Sequence, residues 1–332
     1  MRLASVDAIP YALPFKQPYV TARGTLTERE MVLLRLRDED GVVGLGEAVP
    51  LSLRGGATLA QVVGELEGFA ESQEAHGLSA PARCAIETAQ MDLRGRRQRT
   101  EQPSEPVRCN ATLVAGPPAE VASAARRWAD AGFTTFKLKL GAGWDDVAQV
   151  RAVRDELGSA ARIRVDVNAA WDLELAKRML GELEPLDIEL VEQPVASLEE
   201  MAALTQASSI PLAADESVNS LAEAEEAKGK RACAYAGVKI SKVGGPETAL
   251  RISAVLPTYV TSALDGPVGI AAAARAAQAI GGDLAHGLAT QRLFASTIAA
   301  VECELRGEML YPPPGPGLGV EIDERALDLH RL

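Results

Sequence analysis

The sequence predicts an α/β protein in which a closed parallel (β/α) barrel follows a smaller α+β domain. From about residue 107 onwards, short apolar segments typical of strands alternate with segments that carry apolar residues at helical spacing. Charged residues accompany five of the strand segments at steps of roughly 23 to 27 residues, close to the length of one strand-loop-helix-loop unit. Seven or eight strands are expected, and that number favours a barrel over an open sheet.

The first hundred residues lack this rhythm and are expected to form the α+β domain. Alternating apolar residues predict three strands, and apolar residues at helical spacing predict two helices, at 2–15, 31–37, 42–46, 59–69 and 82–93. The run Asp38-Glu39-Asp40-Gly41 predicts a hairpin turn before the third strand. The polar stretch 94–106 is expected to connect this domain to the barrel.

The barrel elements follow in order along the chain. The predicted strands are 107–113, 135–140, 162–168, 188–193, 211–216, 236–241, 259–263 and a short one near 286–289. Helices such as 118–131, 145–157 and 271–280 lie between them. No Gly-x-Gly-x-x-Gly follows the first strand, which disfavours a Rossmann fold. The rigid Pro/Gly segment 311–319 cannot continue a helix, and we expect it to lead the chain back across the first domain.

Composition excludes several classes of partner. The net charge of −12 and pI near 4.9, with no basic stripe, argue against nucleic-acid binding. No run of about 18 uncharged apolar residues predicts a membrane span, and the N-terminus does not resemble a signal peptide. The four scattered cysteines are expected to be free thiols in a reducing cytoplasm. The oligomeric state stays open.

Three carboxylates lie near the ends of three successive predicted strands: Asp166, Glu192 and Asp215. Each alone could cap the helix after its strand. The ends of neighbouring parallel strands meet at one rim, however, and carboxylates about 4 Å apart repel by roughly 4 kcal/mol per pair at an effective dielectric constant of 20. Three such groups need a cation, and Mg²⁺ prefers oxygen ligands and keeps positions open for water or substrate. The sequence therefore predicts a magnesium site.

Lysines accompany two other strands. Lys137 and Lys139 lie two residues apart, so both side chains project to the same face of a strand whose other residues are apolar. Lys239 comes from the far side of the barrel, four strands on. A cation between opposed amines suits removal of a proton beside a carboxylate, with an amine as the base. Burial and positive neighbours are expected to lower the lysine pKa values.

The charged motifs together resemble the enolase superfamily, in its lysine-based muconate-lactonizing subgroup. They are Lys137-Leu138-Lys139, Asp166-Val167-Asn168, Val191-Glu192-Gln193-Pro194, Ala214-Asp215-Glu216-Ser217 and Val238-Lys239-Ile240-Ser241-Lys242-Val243-Gly244-Gly245. The resemblance covers nearly the whole chain. It implies a (β/α)₇β modified TIM barrel with an N-terminal capping domain that the C-terminal segment completes. The corresponding ranges are 1–100, 101–300 and 301–332.

Within the superfamily the sequence most resembles the o-succinylbenzoate synthases of menaquinone biosynthesis, on its short chain, its first barrel strand and the segment 261–269. The resemblance implies a small carboxylate substrate, Mg²⁺ as cofactor and a syn dehydration. Lys139 would act first as base and then as acid, and Lys239 would stabilise negative charge on the opposite face. Lys137 would support Lys139 and the metal-bound carboxylate.

The remaining site residues are expected from the same resemblance and from local pattern. Asn168 is expected to orient the metal ligands. Ser262 and Gly266 precede an alanine-rich helix whose N-terminus could bind a substrate carboxylate. Arg23 lies in a loop that resembles one closing over the substrate in the family.

The absence of two sequence features reduces the number of candidate reactions. None of the three histidines lies where mandelate-racemase relatives use one on strand seven, and strand eight has Gly287-Leu288 in place of the Asp-x-Asp of dipeptide epimerases. N-succinylamino acid racemase stays an alternative, because it shares the lysines and metal ligands. A non-catalytic carboxylate-binding protein is a further alternative, although binding alone does not need two opposed bases.

Overall fold

The first domain is an antiparallel sheet packed against two helices. The computed structural model describes residues 3–21, 24–50 and 55–332. The strands, in sheet order, are β1 (Leu3–Thr21), β2 (Gly24–Asp38) and β3 (Val43–Ala48), and the helices are α1 (Leu59–Ser72) and α2 (Ala80–Gln98). The predicted hairpin is confirmed: the Asp38 carboxylate accepts hydrogen bonds from the backbone N–H groups of Asp40 and Val42, at 3.0 and 2.9 Å.

Strand β2 lies between two hydrophobic cores. Val32, Leu34 and Leu36 pack towards α1 and α2, whereas Met31 and Leu33 belong to the core that continues into the barrel. Successive side chains of a strand point to opposite faces, so this alternation joins the two domains.

Helix α2 is longer than predicted. It continues to Gln98, so the expectation that residues 94–98 connect the domains is wrong. Arg96 Nε donates to Asp92 Oδ2 at 2.8 Å one turn earlier, and Arg96 Nη2 donates to the backbone carbonyl of Val320 at 2.8 Å. These contacts stabilise a polar last turn that looks like a linker in the sequence.

The barrel contains seven strands in one parallel sheet, in chain order. After the short strands β4 (Glu101–Gln102) and β5 (Val107–Arg108) come β6 (Ala111–Leu113), β7 (Thr135–Lys139), β8 (Arg162–Asp166), β9 (Ile188–Glu192), β10 (Leu212–Ala214), β11 (Tyr235–Val238) and β12 (Thr258–Val260). The helices are α3 (Pro118–Asp130), α4 (Asp146–Leu157), α5 (Leu173–Leu183), α6 (Leu198–Ala207), α7 (Leu221–Lys230), α8 (Ile240–Val243), α9 (Pro246–Ser253) and α10 (Pro267–Ile280).

Two residues take the place of the predicted eighth strand. His286 forms a parallel bridge with Cys109, just before β6, and Gly287 forms one with Thr261, just after β12. These bridges join the two edges of the sheet and close the barrel. All seven strands of the barrel sheet are parallel, so their carboxyl ends share one rim.

The last part of the chain returns to the first domain. Its elements are β13 (Ala299–Val301), β14 (Glu304–Arg306), β15 (Met309–Tyr311), β16 (Gly315–Pro316), β17 (Glu321–Ile322) and α11 (Glu324–His330). The backbone N–H of Leu318 donates to Asp92 at 2.6 Å, and Arg35 pairs with Glu324 at 2.8 Å. The predicted fold class is confirmed, while the domain boundaries at residues 100 and 300 stay a prediction.

The structure also tests two class expectations. All four cysteines are buried and free, as predicted. Among the residues that the structure describes, no helix is both long enough and apolar enough to cross a bilayer.

Candidate active site

Three carboxylates converge at the rim of the barrel, as predicted. Asp166 ends β8, Glu192 ends β9 and Asp215 directly follows β10. Each residue is at most 1% exposed, and one carboxylate oxygen from each lies within 4.8 Å of the others. Three buried negative charges at such distances are unstable without cations nearby.

The predicted lysines supply positive charge at this point. Lys137 Nζ donates to Glu192 Oε1 at 2.6 Å and lies 2.8 Å from Asp166 Oδ2. Lys139 Nζ donates to Asp166 Oδ2 at 2.5 Å, and Lys239 Nζ donates to Asp215 Oδ2 from the other side of the site. The structure thus brings together residues from the ends of five successive strands, which span positions 137 to 239 of the chain.

Ion pairing reverses the expected direction of the lysine pKa shifts. Burial by itself lowers the pKa of Lys137, but the charges of Asp166 and Glu192 outweigh burial and raise that pKa. The pKa of Lys139 is raised in the same way, mainly by Asp166. The expectation of lowered lysine pKa values is wrong for this arrangement. A divalent cation on the carboxylates would offset their charge and weaken the effect that raises the lysine pKa values.

The carboxylates themselves are unequal. Burial raises the pKa of Asp166, but Lys137 and Lys139 outweigh it and hold that pKa below its ordinary value. The pKa of Glu192 is raised, first by burial and then by the charge of Asp166. The buried site therefore still favours additional positive charge beside Glu192.

Asn168 lies beside the lysine that is expected to act as base. Its Oδ1 accepts from Lys139 Nζ at 3.2 Å, and its Nδ2 donates to Glu216 Oε1 at 3.1 Å. Its backbone N–H donates to Asp166 Oδ1 at 3.1 Å, with φ at 51°. Asn168 therefore orients both Lys139 and Asp166.

Three residues that hydrogen-bond to Glu192 or Asp215, through the carboxylate or the backbone, were not predicted as site residues. Lys242 Nζ donates to the backbone carbonyl and to Oδ1 of Asp215, at 3.1 and 3.3 Å. Gln193 Oε1 accepts from the backbone N–H of Asp215 at 3.0 Å, and the Tyr259 hydroxyl donates to Glu192 Oε2 at 2.5 Å. Lys242 and Gln193 belong to the charged motifs that resemble the enolase superfamily, so those motifs could have identified them. Tyr259 lies in a predicted apolar strand, and no sequence motif distinguishes it.

A cavity of about 390 Å³ opens above these groups, between the barrel rim and the first domain. Its barrel side includes the lysine ammonium groups, Asn168 and the residues after β12, and its other wall includes Tyr19, Leu26 and Arg29. Among the described residues that line it, the charged ones are all cationic, namely Arg29, Lys137, Lys139, Lys239 and Lys242. Such a cavity favours an anionic ligand.

Of the three residues predicted to contact the substrate, two lie among the described residues, and only one of these two lines the cavity. Ser262 lines the cavity, but its hydroxyl donates to Asp265 at 2.7 Å. Gly266 does not line it: the N-terminus of α10 instead binds Glu47 of the first domain, whose carboxylate accepts from the backbone N–H of Gly266 at 2.6 Å. That end of the helix is therefore already occupied by a protein carboxylate. Arg23 lies outside the described residues.

Comparison with known proteins decides the family. The family model described as "Mandelate racemase / muconate lactonizing enzyme, N-terminal domain" matches residues 5–102, and "Enolase C-terminal domain-like" matches residues 120–326, more than half of the chain. The chain belongs to the enolase superfamily. The predicted assignment to the muconate-lactonizing subgroup is confirmed as well.

The relatives of this enolase-superfamily chain have several activities. It is 37% identical to the o-succinylbenzoate synthase of Thermobifida fusca (strain YX) over 66% of this chain and 68% of that protein. It is 31% identical to muconate cycloisomerase 1 of Pseudomonas putida over 96% and 95% of the two chains. Its fold matches that of a dipeptide epimerase from Enterococcus faecalis V583, solved with Mg and the dipeptide L-Leu-L-Tyr, with a TM-score of 0.91, 25% identity and coverage of 97% and 100%.

Proposed function

We propose that the protein is an o-succinylbenzoate synthase. It would dehydrate 2-succinyl-6-hydroxy-2,4-cyclohexadiene-1-carboxylate to o-succinylbenzoate, a reaction of menaquinone biosynthesis. The observation that carries the proposal is the pair of amines, Lys139 and Lys239, that approaches the acidic site from opposite sides of the barrel. The wholly cationic charge on the described cavity lining suits a substrate with two carboxylates, and the likeness to the Thermobifida fusca synthase supports this choice.

Mg²⁺ is the cofactor that the donor set fits. Asp166, Glu192 and Asp215 would hold it, because they offer only hard oxygen atoms and together carry three buried negative charges. When bound, the cation would supply positive charge beside the substrate carboxylate and so acidify the adjacent carbon.

The side chains divide the chemistry between the two faces of the substrate ring. Lys139 takes the proton from the ring carbon next to the carboxylate, and then gives that proton to the hydroxyl that leaves the neighbouring carbon, so water departs and the ring becomes aromatic. One amine performs both transfers because the proton and the hydroxyl leave from the same face. Lys239 stays protonated opposite and stabilises the negative charge that develops on the carboxylate.

Direct assay tests the proposal. We expect the protein with Mg²⁺ to convert the cyclohexadiene substrate into the aromatic product, which can be followed by its absorbance. Lys177→Ala, in an exposed lysine that pairs with Glu174, is a matched control for Lys139→Ala and is expected to retain full activity. Absence of turnover with intact, metal-loaded protein would contradict the assignment.

N-succinylamino acid racemase is the second candidate, favoured by the same two opposed lysines. Racemisation requires proton exchange at both Lys139 and Lys239, whereas the syn dehydration requires it only at Lys139. With an N-succinyl amino acid in deuterated water, we expect α-proton exchange to be absent or far slower than dehydration. Rapid loss of the α-proton NMR signal from both enantiomers would favour the racemase.

A further inference from the structure

The first domain contacts the barrel next to one of the two opposed lysines. Helix α2 of the first domain packs against α8, the four-residue helix that begins directly after Lys239. Residues 79–81, at the start of α2, line the same cavity as Lys239 and Lys242. Helix α2 therefore borders the candidate active site and also supports the segment that carries two of its lysines.

Helix α8 links these lysines to the turn that follows it. The backbone carbonyl of Lys239 accepts from the N–H of Lys242 at 2.9 Å. The carbonyl of Ile240 accepts from the N–H groups of Gly244 and Gly245, at 3.1 and 2.9 Å. These hydrogen bonds join the segment into one continuous helical turn, so a displacement of the two glycines also displaces the backbone of the lysines.

Arg83 and Glu87 of α2 lie against the two glycines. They are four residues apart, on one face of the helix. Gly244 and Gly245 have φ angles of 93° and 142°, which glycine adopts readily and other residues rarely do. A Cβ atom on Gly244 would lie 2.8 Å from Arg83 Nη2, and one on Gly245 would overlap the Glu87 carboxylate. Glycine at both positions therefore lets α2 approach the backbone of the turn directly.

Glu87 also binds the start of the next helix. Its Oε1 accepts from the backbone N–H of Glu247, in the first turn of α9, at 2.7 Å. An N–H group in the first turn has no acceptor within its own helix, so this carboxylate supplies one. Glu87 is partly buried at the contact. It therefore fixes the turn between α8 and α9, by its close approach to Gly245 and by its hydrogen bond to Glu247.

We propose that Glu87 is a positioning residue that keeps Lys239 in place for catalysis through α8. Lys239 Nζ and Lys242 Nζ both donate to Asp215, so the position of α8 determines where two of the cations lie at the acidic site. The effect on turnover rests on the proposed dehydration, in which Lys239 stabilises the charge that develops opposite Lys139. A displacement of about 1 Å in such a group can lower a rate about 10²-fold.

The test compares Glu87→Ala, which removes the carboxylate, with Glu87→Gln, which keeps an acceptor oxygen. We expect kcat for the cyclohexadiene substrate to fall about 10–100-fold in Glu87→Ala. KM should change by less than about threefold, since the other cationic residues of the lining remain. Glu87→Gln should keep kcat within about threefold of the wild type, because a neutral acceptor still bonds the N–H of Glu247. If Glu87→Ala does not fold, Glu87→Asp, whose shorter side chain withdraws the carboxylate from the turn, takes its place.

Arg96→Ala is the matched control. Arg96 lies on the same helix but joins it to the returning segment, through the carbonyl of Val320. We expect this variant to lower Tm while kcat stays within about twofold of the wild type. An equal loss of kcat in Arg96→Ala and Glu87→Ala would overturn the proposal, because it would indicate general destabilisation. Wild-type kcat in Glu87→Ala would overturn it as well.

Hydrogen exchange tests the positioning without substrate. In Glu87→Ala, we expect the amides of residues 242–245 to exchange at least about tenfold faster than in the wild type, and in Arg96→Ala and Glu87→Gln at nearly the wild-type rate. Unchanged exchange in Glu87→Ala would overturn the proposal even if turnover fell. A wild type that does not turn over the cyclohexadiene substrate would contradict the proposed function, while the exchange rates would still decide whether Glu87 holds α8 in place.

Discussion

The hydroxyl of Tyr259 offers a direct test of how the acidic site is held in shape. Tyr259 is fully buried on β12, and its hydroxyl donates to Glu192 Oε2 at 2.5 Å. Gly237 on β11 leaves room for it, because a Cβ atom there would lie 3.0 Å from the hydroxyl oxygen. The guanidinium of Arg164 lies 5.2 Å from the centre of the ring. Tyr259→Phe keeps the ring and its packing and removes a single donor from Glu192.

The expected loss of Mg²⁺ affinity in Tyr259→Phe depends on the hydrogen bonds that Glu192 keeps. Glu192 keeps both hydrogen bonds from Lys137, at 2.6 and 2.7 Å. A hydrogen bond to a charged group contributes about 1.5–3 kcal/mol. Loss of a group that orients a metal ligand commonly weakens metal binding about 10–100-fold, equivalent to about 1.4–2.7 kcal/mol. The two ranges agree, so we expect Mg²⁺ affinity to fall by one to two orders of magnitude.

Calorimetric titration with Mg²⁺ measures this directly, without substrate. Tyr311→Phe, which removes a hydroxyl from β15 in the returning segment, is the control and should bind Mg²⁺ normally. Affinity within about twofold of wild type in Tyr259→Phe would refute the claim that the hydroxyl orients Glu192 for binding. Failure of the wild type to bind Mg²⁺ would instead refute the assignment of the acidic site.

Three further predictions concern the base, the cation and the contact between the domains. Lys139→Ala should lower kcat by about 10⁴-fold or more, because the general base acts twice; circular dichroism should show an intact fold, and a loss below about tenfold would place the base elsewhere. Removal of divalent cations should abolish turnover but not folding, since lysines compensate the carboxylates, and saturating Mg²⁺ should raise Tm in the wild type but not in Asp215→Asn. Burial, followed by the charge of Asp265, raises the pKa of Glu47 to about 7 from an ordinary 4.5. Between pH 4.5 and 7 the native state therefore keeps this proton, whereas the unfolded chain releases it. The unfolding free energy of the wild type minus that of Glu47→Gln, measured by urea titration, should fall by about 3 kcal/mol as pH rises over this range. A difference that stays constant with pH would contradict this prediction.

Much of the fold and the centre of the site could be predicted from the sequence. Apolar periodicity reports which face of each element is buried, and this is a local property of the chain. The carboxyl ends of parallel strands share one rim, so charged residues at regular strand ends had to meet. Asp166, Glu192, Asp215, Lys137 and Lys139 were found in this way. The structure brings carboxylate oxygens of the three acids within 4.8 Å of one another and pairs both lysines with Asp166.

Contacts between distant parts of the chain were decided only by the tertiary structure. The N–H of Gly266 looked available for a substrate anion, but Glu47, 219 positions earlier, occupies it. The last turn of α2 was predicted to be part of a linker, but in the structure its Arg96 donates a hydrogen bond to the backbone carbonyl of Val320. The lysine pKa values were expected to be lowered, yet the carboxylates raise them. In each case the local pattern defines the chemical group, whereas its hydrogen bonds and charge depend on which distant residue folding brings within about 3 Å.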